Sequence, residues 1–216
     1  MSTLLAFAAA REGACLQSTR HPTLELGVGK IAATMSMTAA LAGPAEQRPD
    51  AVLLFGVGGA YPERHLRRGL EPLAVLDACM VVTEFIADDG VLTPSGFLDL
   101  GHLELGEVGP IPCDAGLTGK LSAVLGCPLV AGSTVSTGAG SDAISQAYAL
   151  RSGAQLETME GAAVAAVCRQ FEVPMAQLRI VSNQTGDRDK GGWNLEGALT
   201  RLGAVLEHVI AADVLP

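Results

Sequence analysis

Residues 51–57, AVLLFGV, contain no polar side chain, and the run is strand length and too short for a buried helix. A strand apolar on both faces must be covered on both faces, the condition met inside a sheet flanked by helices. Comparable runs recur at 3–9 (TLLAFAA), 79–86 (CMVVTEFI), 128–135 (PLVAGSTV), 154–159 (AQLETM) and 177–182 (QLRIVS). Longer Ala-rich stretches separate them, and 29–42, 114–125, 141–151, 160–171 and 193–212 are predicted helices. Ser141 is a natural N-cap, and Pro174 helps stop the helix before it. This alternation predicts a single α/β domain over 1–216, with its ligand site at the carboxyl ends of the strands.

Composition narrows the function classes. An apolar fraction of 49% against 17% charged residues marks a globular chain, and with 4% aromatics the core must be built from Ala, Val and Leu. A net charge of −9 with no basic run leaves no footprint for nucleic acid. The opening MSTLLAFAAAR lacks a basic n-region, and its apolar run is far short of a membrane span, so it reads as a first buried strand. Cys15, Cys79, Cys113, Cys127 and Cys168 are odd in number and show no ligand spacing, so free thiols in a reducing cytoplasm are expected. His21, His65, His102 and His208 are scattered and read as surface or loop histidines. No cluster implies a metal or organic cofactor.

Several segments could carry chemistry. The glycines of LFGVGGAYP allow a backbone to approach a ligand, and a tight turn would need them equally. LGVGK at 26–30 reads as a turn feeding a helix; TVSTGAGSD at 134–142 suits ring recognition and helix capping alike. IVSNQTGDRDKGGWN, 180–194, runs from a buried strand into a dense polar loop, either an exposed turn or a ligand-facing strand end. In TMEGAAVAAVC, Glu160 stands alone before small apolar residues, as a helix-start acid or as a ligand-binding one. Residues 88–112 are too long for a simple connection and predict a functional loop or an interface element.

Two of these segments together carry a resemblance. LETMEGAAVAAVC followed by a strand ending in Ser-Asn, with 23 residues from Glu160 to Asn183, is similar to the purine nucleoside phosphorylase and methylthioadenosine nucleosidase superfamily. SNQTGDRDKGGWN, TPSGFLDLG and GVGGAYP resemble its futalosine hydrolase family, nucleosidases of the menaquinone pathway. The resemblance covers nearly the whole chain and implies a three-layer α/β/α sandwich with a mixed central sheet. It implies a small-molecule nucleoside substrate, no nucleic-acid or membrane partner, and a homodimer or larger homo-oligomer.

The resemblance also implies roles. Met159 packs on the ribose face, and Glu160 accepts from ribose hydroxyls beside a sugar that turns cationic as the N-glycosidic bond breaks. Asn183, an aspartate in adenine-specific relatives, offers donor and acceptor together and suits a 6-oxopurine such as hypoxanthine. The backbone around Val135 lines the base, Gly56, Val57 and Gly58 sit near the anomeric carbon, and Glu12 is the candidate base for water. For the substrate's benzoate tail, Arg188 and Lys190 are candidate caps, and Phe97 or Trp193 candidate slot walls; Asp187, Arg188 and Asp189 could instead pair among themselves. A phosphate-using phosphorylase is the alternative, and a non-catalytic nucleoside-binding protein a further one.

Overall fold

The computed structural model describes residues 2–16, 19–187 and 192–216. Among the described residues, ten strands and six α-helices follow one another as β1 (Thr3–Phe7), α1 (Ala10–Gly13), β2 (Thr23–Glu25), α2 (Lys30–Leu41), β3 (Ala51–Ala60), β4 (Ala78–Ile86), β5 (Gly90–Thr93), β6 (Gly96–Asp99), β7 (Ile111–Pro112), α3 (Ala115–Leu125), β8 (Leu129–Thr134), α4 (Asp142–Ser152), β9 (Leu156–Thr158), α5 (Gly161–Gln170), β10 (Met175–Gln184) and α6 (Leu195–Ala211). The six apolar runs are β1, β3, β4, β8, β9 and β10. The sequence pattern missed β2, the single-turn α1 and the hairpin of β5 and β6 inside 88–112, all too short to show a period.

The main sheet is mixed. Its order is β10-β4-β8-β9-β3-β1-β2, and β10 also pairs with β3. That extra pairing closes β3, β10, β4, β8 and β9 into a ring, so the expected layered sheet is curled upon itself at one end. β1, β2, β3 and β10 run parallel, whereas β4 opposes β10 and β9 opposes β3.

Alternation along the strands builds the two helical layers. Leu4 and Ala6 of β1, with Val52 and Leu54 of β3, face Met37 and Leu41 of α2 and Ala162, Val164 and Ala165 of α5. Their neighbours Leu5, Phe7, Leu53 and Phe55 face the other way, onto Leu117 and Leu121 of α3 and Ala198, Leu202 and Leu206 of α6. Small side chains on α5 allow that helix to lie close against α2 and the sheet. Asp114 caps α3 by accepting from Leu117 N at 2.7 Å, and Gly126 ends it in the left-handed region that an L side chain disfavours. Ser141 caps α4 as expected.

Leu54→Ala removes a fully buried side chain from the α2/α5 layer and should lower unfolding free energy by about 2–5 kcal/mol in urea titration. Leu105→Ala, at a side chain 73% exposed, should stay within about 0.5 kcal/mol. Equal costs at the two positions would contradict this layering.

Candidate active site

The ends of β1, β3 and β10 and the β9–α5 junction converge on a cavity of about 710 Å³, within the range of small-molecule sites. Its walls include Glu12, Val57, Gly58, Met159, Glu160 and Asn183 from the sequence-based candidates. Arg179, Glu157, Ser182 and Trp193 line it as well.

Glu160 sits at the start of α5 but does not cap it: its side chain makes no hydrogen bond to its own helix. Glu160 Oε1 accepts from Gly29 N at 3.0 Å, and Oε2 faces Arg179 Nη2 at 3.5 Å. Both charged residues are nearly excluded from solvent, at 4% and 1% side-chain exposure, so each depends on the other for compensation. Gly29 reaches Glu160 with φ of 92°, which explains the glycine in LGVGK. Lys30, next along, points elsewhere and joins Asp88 at 2.8 Å and Asp89.

Glu12, in α1, turns back into the cavity. Its Oε2 accepts from Ala8 N at 3.0 Å and Ala9 N at 3.2 Å, and its Oε1 accepts from Val57 N at 2.8 Å. Arg179 Nη1 donates to Val57 O at 3.2 Å on the same stretch of β3. Gly56 is what lets these groups meet, because a Cβ there would overlap Glu12 Oε1 and stand 2.7 Å from Arg179 Nη1. The glycine before the loop thus serves side chains from two other elements as well as the chain turn.

Asn183 is buried at the end of β10, where Ser182 Oγ donates to its Oδ1 at 2.8 Å and its Nδ2 donates to Gln184 O at 3.0 Å. The chain returns beside it: Asn194 N donates to Ser182 O at 2.8 Å, and Trp193 forms an isolated bridge to Asn183. Glu157 Oε1 accepts from Ala139 N at 3.0 Å and Oε2 from Tyr61 Oη at 3.2 Å. Burial lifts its pKa to about 7.

Not every candidate reaches this cavity. Val135 is fully buried beside Tyr61 and Tyr148, and its N–H is spent on Thr158 O at 3.0 Å. Phe97 is on β6 with the Arg151 guanidinium 3.8 Å from its ring centroid, and it does not line the described cavity. Arg188 and Lys190 lie outside the described residues. His65, expected in an exposed or loop setting, occupies a single 3₁₀ turn but is buried, with Nδ1 2.8 Å from Ser145 Oγ.

Two buried charged residues at or beneath the site escaped the sequence reading. Arg179 in QLRIVS and Glu84 in CMVVTEFI are charges inside apolar strands, and that misfit was the available signal. Glu84 is fully buried beneath the start of α5 and accepts from Gln177 Nε2 at 2.8 Å, Thr134 Oγ1 at 2.9 Å and Thr158 Oγ1 at 3.3 Å. A Cβ at Gly161 would overlap Glu84 Oε1, so the glycine of Met-Glu-Gly is a packing requirement. Burial lifts the Glu84 pKa to about 7.

The chain belongs to the phosphorylase superfamily, whose family profile matches residues 14–211. It is 37% identical to a futalosine hydrolase of Thermus thermophilus over 92% of this chain and 84% of that one. It is 34% identical to a futalosine hydrolase of Streptomyces coelicolor over 83% and 74% of the two chains. The native structure of futalosine hydrolase from Helicobacter pylori shares the fold with a TM-score of 0.78 at 16% identity, covering 98% of each chain.

For Glu84 the folded-state pKa is raised, so its contribution to stability is present below about pH 4.5 and is lost as pH rises through about 7. The shift corresponds to on the order of 3 kcal/mol. Glu84→Gln should flatten that part of the stability–pH curve measured by denaturant unfolding; an unchanged slope between pH 4.5 and 7 would contradict the burial of a titrating acid there.

Proposed function

We propose that this chain is a nucleosidase that hydrolyses the N-glycosidic bond of futalosine, releasing hypoxanthine in the menaquinone pathway. The observation that carries the reading is Glu12, a carboxylate fixed by three backbone N–H groups in the same cavity as Glu160. Breaking the bond builds positive charge on the ribose, and a fixed anion beside it stabilises the transition state more than the neutral ground state. Glu160 holds that place, accepting from the ribose hydroxyls, with Met159 against the sugar. Arg179 positions Glu160 and takes no proton itself. Glu12 removes a proton from water as the oxygen attacks C1′. Asn183 steadies the departing oxopurine through its amide.

The phosphorylase alternative needs unspent cations for a phosphate dianion. Each arginine lining the described cavity faces a carboxylate: Arg11 with Glu196, Arg64 with Asp142 at 2.6 Å, and Arg179 with Glu160. Water is the nucleophile that fits this balance. Futalosine incubated without phosphate should yield free hypoxanthine, and Glu12→Gln should lower kcat by roughly 10²–10⁴-fold. Base released only when phosphate is added would overturn the hydrolase reading.

We also infer a homo-oligomer in a reducing cytoplasm. All five cysteines are free, and no helix among the described residues is long and apolar enough to cross a membrane. Ile31 and Met35, one turn apart on α2, are 79% and 68% exposed beside Val28, which reaches the cavity wall. The expected result of sedimentation at micromolar concentration is a dimer or larger assembly, and the double variant Ile31→Glu/Met35→Glu should dissociate it. A monomeric wild-type protein would contradict the inference.

A further inference from the structure

The register of three strands places a second polar group opposite Asn183. Asn183 of β10 pairs with Gly59 of β3, and Gly59 pairs with Glu157 of β9. Paired residues on adjacent strands project to the same face, so Asn183 and Glu157 flank the glycine with Cα atoms about 10 Å apart. Two contacts fix that face. A Cβ on Gly59 would stand 3.3 Å from Asn183 Nδ2 and 2.8 Å from the Thr185 methyl. Tyr61, two residues beyond Gly59, donates its hydroxyl to Glu157 Oε2. With no side chain of its own, Gly59 lets the Thr185 methyl and the Asn183 amide lie over β3, with the Glu157 carboxyl on the strand beyond, and Asn183, Gly59 and Glu157 all line the cavity.

Glu157 is oriented at both oxygens, by Ala139 N and Tyr61 Oη, yet no described cation pairs with it. Two N–H or O–H donors leave lone pairs on each oxygen for a further donor. A half-buried carboxyl held this way on a cavity wall suits a ligand that brings its own N–H.

The geometry points to Glu157 as a specificity-determining residue: its carboxylate accepts the N1–H of a 6-oxopurine whose opposite edge faces the Asn183 amide. This deepens the nucleosidase reading and rests on it. A 6-aminopurine has a bare acceptor at N1, which would face the carboxylate lone pairs and leave two buried acceptors unpaired. Sites that hydrogen-bond a particular N–H discriminate strongly against ligands lacking it. The pair of residues thereby favours hypoxanthine over adenine without any change near the sugar.

The test compares futalosine with its 6-aminopurine counterpart, at pH 8 so that Glu157 is ionised. The wild-type chain should favour the hypoxanthine nucleoside by at least about 100-fold in kcat/KM. Glu157→Gln, whose amide can accept from N1–H or donate to N1, should reduce that ratio by at least about tenfold. A ratio unchanged in an active Glu157→Gln variant overturns the assignment while leaving the hydrolase reading intact. Wild-type protein that cleaves neither nucleoside overturns the hydrolase reading instead. Calorimetric binding of free hypoxanthine and 1-methylhypoxanthine to the wild-type chain needs neither turnover nor a variant. The methylated base lacks N1–H and should bind at least about 30-fold more weakly; equal affinities overturn the role of Glu157.

Discussion

Arg179 is the charge around which the site is arranged. Its guanidinium lies in the sheet at 1% exposure, faces Glu160 Oε2 and donates to Val57 O. A buried arginine alone would carry an uncompensated charge, and removing one partner of such a pair costs more than the pair contributes. The surroundings answer that demand. Gly56 withholds a side chain so that Arg179 and Glu12 fit, and Gly29 turns an N–H onto the other oxygen of Glu160. The anion that stands beside the sugar in the proposed reaction is therefore the same one that keeps the arginine folded in.

A second acidic group, Glu84, supports the first from below. Its carboxyl lies under the start of α5, and Thr134, one of its donors, also accepts from Ala162 N at 2.8 Å through its hydroxyl. The N-terminal turn of α5 is thus seated on a polar cluster and not on hydrocarbon. That polar seat fixes where the first residue before α5, Glu160, enters the cavity.

The fold was legible because the apolar runs of β1, β3, β4, β8, β9 and β10 satisfy a simple physical rule: a segment apolar on both faces is covered on both. The ring closure was not legible, since pairing between β10 and β3 depends on twist and long-range register. At the site, Glu160 and Asn183 stood out as polar groups at the ends of buried segments, and they share one cavity. Arg179 and Glu84 were hidden inside segments read for their hydrophobicity. Glu157 was overlooked beside Glu160 because its meaning comes from Gly59 and Tyr61, roughly a hundred residues earlier in the chain. Val135 and Phe97 show the opposite limit: neither side chain lines the described cavity, although Gly138, Ala139 and Gly140 of the loop after Val135 do.

The curled sheet also bears on how copies of the chain can meet. Five of its strands find partners on both sides by going around, which leaves the three-residue β2 and the two-residue β7 as the outermost described rims. Rims that short offer little backbone to an incoming strand, and β2 carries a glutamate at its end. Lateral growth of this sheet from one molecule into the next is thereby starved of template.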